Sequence, residues 1–435
     1  MRTLRNTLIG AAALFLTAAG AAAQEPLAIR GGTVHPVSGP AYTGTVVVQD
    51  GRIVAAGPDA TAPAGARVID AAGLHVYPGL FDAGTRLGLT EIDAVDVTND
   101  YSELGDFTPH LLTRTAVHPA SEHIPVARAN GITHTVALPG GGGRAGGFAG
   151  QGSAFHLAGW TIEEMEIDGS VVMVMNWPSL QTREFDRRTF SVRERPFREA
   201  KEEYDRAVHR LASWLDAARD YDRAVRGGAS LDRDLRLEAL ARVTRGELPV
   251  LAPVDEARDI CNVVAFAEEQ GIRLIIAGAA EGYKVAELLA EKGIPVILGP
   301  TQSMPSSPDA PYDEPYANPG KLHAAGVKIA FATFNSADSR TLPYEAAMAI
   351  PYGLPRDAAL RAVTINAAEM LGLGDRLGTI EPGKIANLIV TDGDPLEITT
   401  QIRHLIIKGR EVSTMNKHRE LYEKYRSRPT RTTME

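Results

Sequence analysis

The chain has one cysteine, Cys261, in 435 residues. No disulfide can form within it, and stability has to come from a packed core. Basic charge is in deficit: 45 Lys and Arg against 54 Asp and Glu leave a formal charge of −9, with no basic stripe. That excludes a nucleic-acid partner, since phosphate binding needs concentrated cations to displace counterions. Beyond the first 23 residues there is no apolar run long enough to cross a bilayer. Apolar residues are not scarce, however. A hydrophobic content of 44% with 23% charged residues excludes disordered and fibrous classes and suits one large domain with an accessory module.

The N-terminus reads as a secretory signal. Arg2 and Arg5 supply the positive start, Leu8 to Ala19 the apolar run, and Ala21-Ala22-Ala23 a small-residue cleavage site before Gln24. The expectation is removal of residues 1–23 and a periplasmic or secreted protein. Cys261 lies in DEARDICNVVAFAEEQG, where Ile260, Val263, Val264 and Ala267 follow helical spacing, which predicts a buried structural thiol.

Residues 25–73 show short alternating strands, with Asp50-Gly51 as a hairpin turn. The same style returns from Gly378 in KIANLIVTDGDP and IRHLIIKGREV. The two ends are therefore assigned to one composite β-sandwich, 24–73 plus 374–420, followed by a tail at 421–435. Between them, apolar strands alternate with amphipathic helices, the pattern of a parallel α/β architecture. Eight strand candidates, GLHVYPGLF, GITHTVALP, GSAFHLAG, SVVMVMNW, LPVLAPV, RLIIAG, IPVILG and VKIAFAT, fit a TIM (β/α)8 barrel over 74–373. A charged insertion at 180–246 places Ala200, Tyr204, Val208, Leu211 and Leu215 on one helical face. It predicts an amphipathic helical subdomain that caps the barrel or makes an oligomer contact.

Five segments then stand in a telling order: YPGLFDAGTR at 77–86, NGITHTVALPGGGG, LPYEAAMAI, LPRDAALRAVTINAAEMLGL and LGTIEPGKIANLIVTDGDPLE. In them the chain resembles the amidohydrolase superfamily, close to its imidazolonepropionase-like branch, over nearly the whole length after residue 23. The resemblance implies hydrolysis of amide or other C–N bonds by one or two divalent metals at the C-terminal rim of the barrel. It also implies ligands from His-x-His on strand one, a Lys or Glu on strand four, a His each on strands five and six, and an Asp on strand eight. Carried onto this sequence, those positions hold Gly84 and Arg86, Asn176, Pro253, Ala277 (or Gly278) and Phe334, with Asn335 and Asp338 close behind. A catalytic zinc site needs about three protein ligands. A cation such as Arg86 about 4 Å from a dication would cost roughly 8 kcal/mol at an effective dielectric of 20.

Other residues were candidates for chemistry. The spacings of His110, His118 and His123 do not place them on one helix face, so they read as surface or packing residues rather than a metal site. His134 and His156 fall within strands and read as satisfied core residues. Gly141-x-Gly143-x-x-Gly146 superficially matches a dinucleotide loop, but no helix follows at once; it reads as a flexible loop over the barrel mouth from which Arg144 and Gln151 reach a ligand. Rim acids Glu281 and Asp338 are weak candidates for general bases, with helix capping as the plainer role.

Two functional expectations follow. One is a protein without cofactor that binds a small molecule, anionic if Arg86 contacts it, through Arg86, Arg144, Asn176 and Asn335, as a homo-oligomer or beside a catalytic amidohydrolase paralogue. The other is a non-canonical C–N hydrolase that uses rim carboxylates or a Zn held elsewhere.

Overall fold

The computed structural model describes residues 25–140, 146–180, 182–186 and 191–428. The signal segment and Arg144 lie outside the described residues. The strands are β1 (Leu27–Val34), β2 (Tyr42–Gln49), β3 (Arg52–Gly57), β4 (Arg67–Asp70), β5 (His75–Pro78), β6 (Leu80–Thr85), β7 (Ile132–Ala137), β8 (Gly147–His156) and β9 (Glu166–Asn176). They continue as β10 (Arg183–Asp186), β11 (Ser191–Glu194), β12 (Val250–Val254), β13 (Leu274–Gly278), β14 (Val296–Leu298), β15 (Ile329–Phe331), β16 (Leu388–Thr391), β17 (Ile402–Ile407) and β18 (Arg410–Glu411). The helices are α1 (His123–Arg128), α2 (Ile162–Met165), α3 (Phe197–Arg226), α4 (Leu235–Thr244), α5 (Ala257–Gln270) and α6 (Ala286–Glu291). They end with α7 (Glu314–Ala324), α8 (Leu342–Ala349), α9 (Arg356–Ala362), α10 (Ile365–Met370) and α11 (Lys417–Arg426).

Strands from both ends of the chain form one sheet in the order β18-β17-β16-β5-β1-β2-β3, with β4 beside β1. It closes over its own apolar core, which includes Ile29, Val48, Ile69, Leu388 and Ile406. A second sheet, β15-β14-β13-β12-β9-β8-β7-β6, is the barrel. Its ends meet where Phe334 N–H donates to Gly84 O at 2.9 Å.

The segment expected as one first strand divides between the two sheets: His75–Pro78 pairs with β1 and β16, and Leu80–Thr85 with β7. The pivot is Gly79, where a Cβ would fall 2.1 Å from Thr133 Oγ1. Only glycine lets the chain pass there.

One barrel strand departs from the parallel pattern. β8 is antiparallel to both β7 and β9, and it starts at Gly147, ahead of the expected 152–159 segment. The links at 138–146 and 157–165 explain this, because a parallel crossover needs about a dozen residues or more.

Inward-facing Phe81, Ala83, Val136, Val172, Leu251, Ile275, Ile297 and Ala330 fill the barrel. A larger cluster lies between strands and helices. The insertion is helical as its spacing predicts: α3 buries Ala200, Tyr204, Leu211 and Leu215, with Val208 partly covered. Tyr204 OH fastens it to the barrel by accepting from Trp177 Nε1 at 3.2 Å and Asn262 Nδ2 at 3.1 Å. Cys261 falls inside α5, but it is half-buried, not fully buried as its spacing suggested. The buried positions on either side of it are Ile260, Val263 and Val264.

Candidate functional site at the barrel mouth

The C-terminal ends of the parallel strands open to solvent, and the first of them sets the geometry. Gly84 leaves a gap that two neighbours fill: a Cβ there would lie 2.6 Å from Leu138 Cδ1 and 3.0 Å from Phe334 Cε1. The Phe334 ring also reaches toward Gly299, where a Cβ would be 3.9 Å from its Cδ2. Phe334 therefore lies between strands one and seven at the mouth. Its φ of 51° is left-handed backbone that a bulky residue rarely adopts and that costs about 1–3 kcal/mol, a feature that gathers at functional sites. Ala277 on strand six is buried, and Pro253 on strand five is exposed.

Directly beneath is a buried acid. Asp82 Oδ1 accepts from Gly84 N at 3.2 Å and Thr333 N at 3.1 Å, while Thr333 Oγ1 donates to Oδ2 at 2.5 Å. Burial outweighs those donors, and its pKa is pushed up to about 7. Around it, Thr85 Oγ1 donates to Asn335 O at 2.6 Å and shares a 2.8 Å bond with Ser339 Oγ. Strand one is thereby locked to strand eight. The FDAGT segment contributes a structural carboxylate where the resemblance directs attention to the residues after it.

The expected ligand-binding residues have separate settings. Arg86 is half-buried, with its guanidinium carbon 3.9 Å from the centre of the Tyr101 ring, and it has no carboxylate partner among the described residues. Asn176 ends β9 and is half-buried with a polar partner. Asn335 turns back on its own chain, its Oδ1 accepting from Ala337 N at 2.7 Å. Gln151 is buried: its Nε2 donates to Pro109 O at 2.8 Å and its Oε1 accepts from Ser170 and Arg242.

The two weak candidates for bases are not joined by any hydrogen bond among the described residues. Glu281 Oε2 accepts from Ala257 N at 2.9 Å and its Oε1 pairs with Lys284. It caps α5, the helix after strand five, rather than one after its own strand. Asp338 is exposed.

An acid that the sequence reading missed stands closer to a cavity. Asp255, immediately after β12, lines a cleft of about 570 Å³ together with Glu256, Glu281, Leu298, Met304 and Glu314. The residue reaches solvent, but its carboxylate packs on the bare backbone of Gly278 and accepts from Ala280 N at 3.3 Å. Burial of that carboxylate raises its pKa. The available signal was an acid placed just past the apolar run LPVLAPV.

Histidines gather elsewhere. His123 Nε2 meets Glu91 O at 3.0 Å, and His110 Nδ1 is buried without a partner among the described residues. At the barrel base, Asn387 Nδ2 donates to His134 Nδ1 at 3.2 Å and to His156 Nδ1 at 3.0 Å, and Thr133 Oγ1 bonds the former at 2.7 Å. Both rings are core residues as expected, except that His134 Nε2 is buried with no hydrogen-bond partner among the described residues. Burial holds the His134 pKa down to about 3. It also keeps His156 well below the usual range, helped by His134 and Lys408.

The residues at the mouth do not fit a divalent cation. Gly84, Pro253, Ala277 and Phe334 offer no side-chain donor, and Arg86 brings positive charge. Among the described residues, no group of three or more His, Cys, Asp or Glu is gathered to hold one.

A closed α/β barrel with a mouth at its strand ends is joined to a flanking sheet built from both ends of the chain. The model of the Amidohydrolase family matches residues 254–415. The amidohydrolase tasK of Hapsidospora irregularis is 28% identical over 389 residues, covering 82% of this chain and 38% of that protein, so the chain spans about two fifths of this relative's length. An imidazolonepropionase of Sphingopyxis alaskensis is 44% identical over 82 residues, 18% of this chain and 20% of the relative. A crystal structure of an amidohydrolase from Thermotoga maritima MSB8 superposes with a TM-score of 0.76 at 26% identity, over 89% of this chain and 99% of that one. The chain belongs to the amidohydrolase superfamily, and over 82 residues it is similar to an imidazolonepropionase.

Proposed function

We propose that this hydrolase-family chain is an exported, metal-free member that binds a small molecule at the barrel mouth, alone or beside a catalytic relative. The observation that carries this reading is the packing at Gly84, where Leu138 and Phe334 fill the space a strand-one histidine would need. The half-buried Arg86, held against Tyr101 without a carboxylate partner among the described residues, supports an anionic group on the ligand. Phe334, Leu138 and Pro253 would face its apolar part.

Elemental analysis of chelator-untreated protein tests the metal-free part, and one equivalent of zinc or another transition metal would overturn it. Thermal-shift screening with carboxylate-bearing amides and cyclic amides tests the ligand. A binder at about 100 times its Kd adds roughly 2.7 kcal/mol of stability, and Arg86→Met should cut that gain by about half or more.

A second reading is favoured by one observation, the recessed Asp255 carboxylate with its raised pKa beside a cleft. Such a group is suited to act as a general base on a C–N substrate without a metal. Amidase activity lost in Asp255→Asn at unchanged metal content would establish it.

A further inference from the structure

Many surface charges in this protein are matched locally. On α3 alone, Arg198 pairs with Glu202, Lys201 with Asp205, Arg219 with Asp216 and Arg226 with Asp222. Two stretches differ, and they differ in opposite senses.

The loop after β6, residues 91–106, carries six acids and no Lys or Arg. Asp93, Asp96, Asp100, Glu103 and Asp106 are exposed, and none has an ion-pair partner among the described residues. The same loop presents Ile92, Val97 and Leu104 to solvent, the last two at 89% and 98% exposure. It is nevertheless a built surface. Thr98 Oγ1 donates to Ile92 O at 3.0 Å and Val95 O at 2.9 Å, Asn99 Nδ2 donates to Asp93 O at 3.1 Å, and Asp100 N donates to Leu89 O at 2.8 Å. A loop fixed before binding loses little entropy on docking.

The second stretch is α11. It buries no residue of its own, yet its start is fixed by Asn416, whose Oδ1 accepts from His418 N at 3.0 Å and Arg419 N at 3.2 Å. Within it Arg426 pairs with Glu423, but Lys417, Arg419 and Lys424, and Arg428 just past its end, lack carboxylate partners among the described residues, and Leu421, Tyr422 and Tyr425 are exposed. No hydrogen bond or ion pair joins α11 to the loop within the chain among the described residues.

We infer that loop 91–106 of one copy docks on α11 of a second copy, through acid–base pairing around an apolar centre of Val97 and Leu104 against Tyr422 and Tyr425. Two such contacts made reciprocally close a two-fold dimer. A basic helix with one Leu and two Tyr has too little apolar surface to favour a lipid surface over a matching acidic and apolar loop.

Sedimentation velocity on the full chain provides the test. The dimer is expected at about 0.1 M salt and should weaken at least about tenfold at about 1 M, where the screening length falls from ~10 Å to ~3 Å. The triple variant Asp93→Lys, Asp96→Lys, Glu103→Lys should be monomeric, as should Lys417→Glu, Arg419→Glu, Lys424→Glu. Mixing the two should restore association. Val97→Ser with Leu104→Ser, which alters neither charge nor a buried contact, should weaken the dimer as well. A wild-type chain that stays monomeric at low salt, a dimer indifferent to either charge reversal, or a mixture that remains monomeric would each overturn the inference.

Discussion

The barrel treats its base and its mouth in opposite ways. At the base, His134 and His156 are buried and both are bonded by Asn387. At the mouth, the strand ends that would use imidazole for chemistry hold Gly84, Pro253 and Ala277, and Phe334 lies across the opening. The difference shows that histidine content says little about a metal site. At the base, hydrogen bonds to Nδ1 fix a neutral tautomer and burial opposes protonation, so the rings serve packing. At the mouth, one left-handed aromatic residue packs into the space beside Gly84.

Acid should separate the two regions most sharply. His134 has a pKa near 3 when folded, below its unfolded value of about 6.5. The unfolded chain therefore binds the proton first, and stability is lost as pH falls from about 6.5 towards 3. The loss reaches about 5 kcal/mol at ~1.4 kcal/mol per pKa unit. Urea midpoints measured across this range should fall, and less steeply in His134→Gln. An unchanged acid limb in that variant would break the assignment of the base.

Asp82 works with the other sign. Its folded pKa of about 7 exceeds the unfolded value of about 3.9. Here the folded state holds the proton more tightly, so the contribution is fully present below about pH 4 and lost as pH rises through 7. The amount is about 4 kcal/mol. Asp82→Asn should therefore be more stable than the parent at pH 8 and similar at pH 4, with a steeper decline in acid because the opposing slope is gone. Equal stabilities at both pH values would show that the carboxylate ionises freely in its pocket.

How far these contrasts were legible in the sequence depends on what each residue needs. Repeating apolar patterns marked the barrel strands after the first, since burial leaves a periodic trace, whereas the first expected segment fell mainly on β5 of the flanking sheet. The ends of the chain announced a shared sheet through their alternation. The antiparallel run of β8 was not read, although the short links at 138–146 and 157–165 contained the signal. The substitutions at the strand ends stood out only because the frame of YPGLFDAGTR resembles a known family. The packing of Phe334 against Gly84 was invisible, because it joins residues 250 positions apart through a backbone angle that no local pattern encodes. Asp255 was passed over for the same reason: its recess is made by Gly278 on another strand.

A smaller effect tests the mouth directly. Gly84→His would restore one of the family's ligand types, but its side chain must displace Leu138 and Phe334. Overpacking of this kind costs about 1–3 kcal/mol. The variant should melt earlier and should take up no metal, because Pro253 and Ala277 add no donors. Stoichiometric zinc in elemental analysis of Gly84→His would show that the mouth can still assemble a site, and the contrast with the base would fail.

The smallest change in stability is expected at Arg86. Its stacking on Tyr101 at 3.9 Å is worth about 0.5–1 kcal/mol at a partly exposed position. Arg86→Met keeps most of the side-chain bulk, so the melting temperature should scarcely move. Ligand binding should respond far more, since a charge-assisted hydrogen bond to an anion contributes about 1.5–3 kcal/mol, or about tenfold to a hundredfold in Kd. Titration calorimetry with the best carboxylate found by thermal shift separates the two effects. Unchanged affinity alongside a large loss of stability would make Arg86 a structural residue of the 91–106 loop, and the mouth would then resemble the base in using its polar group only to hold the fold.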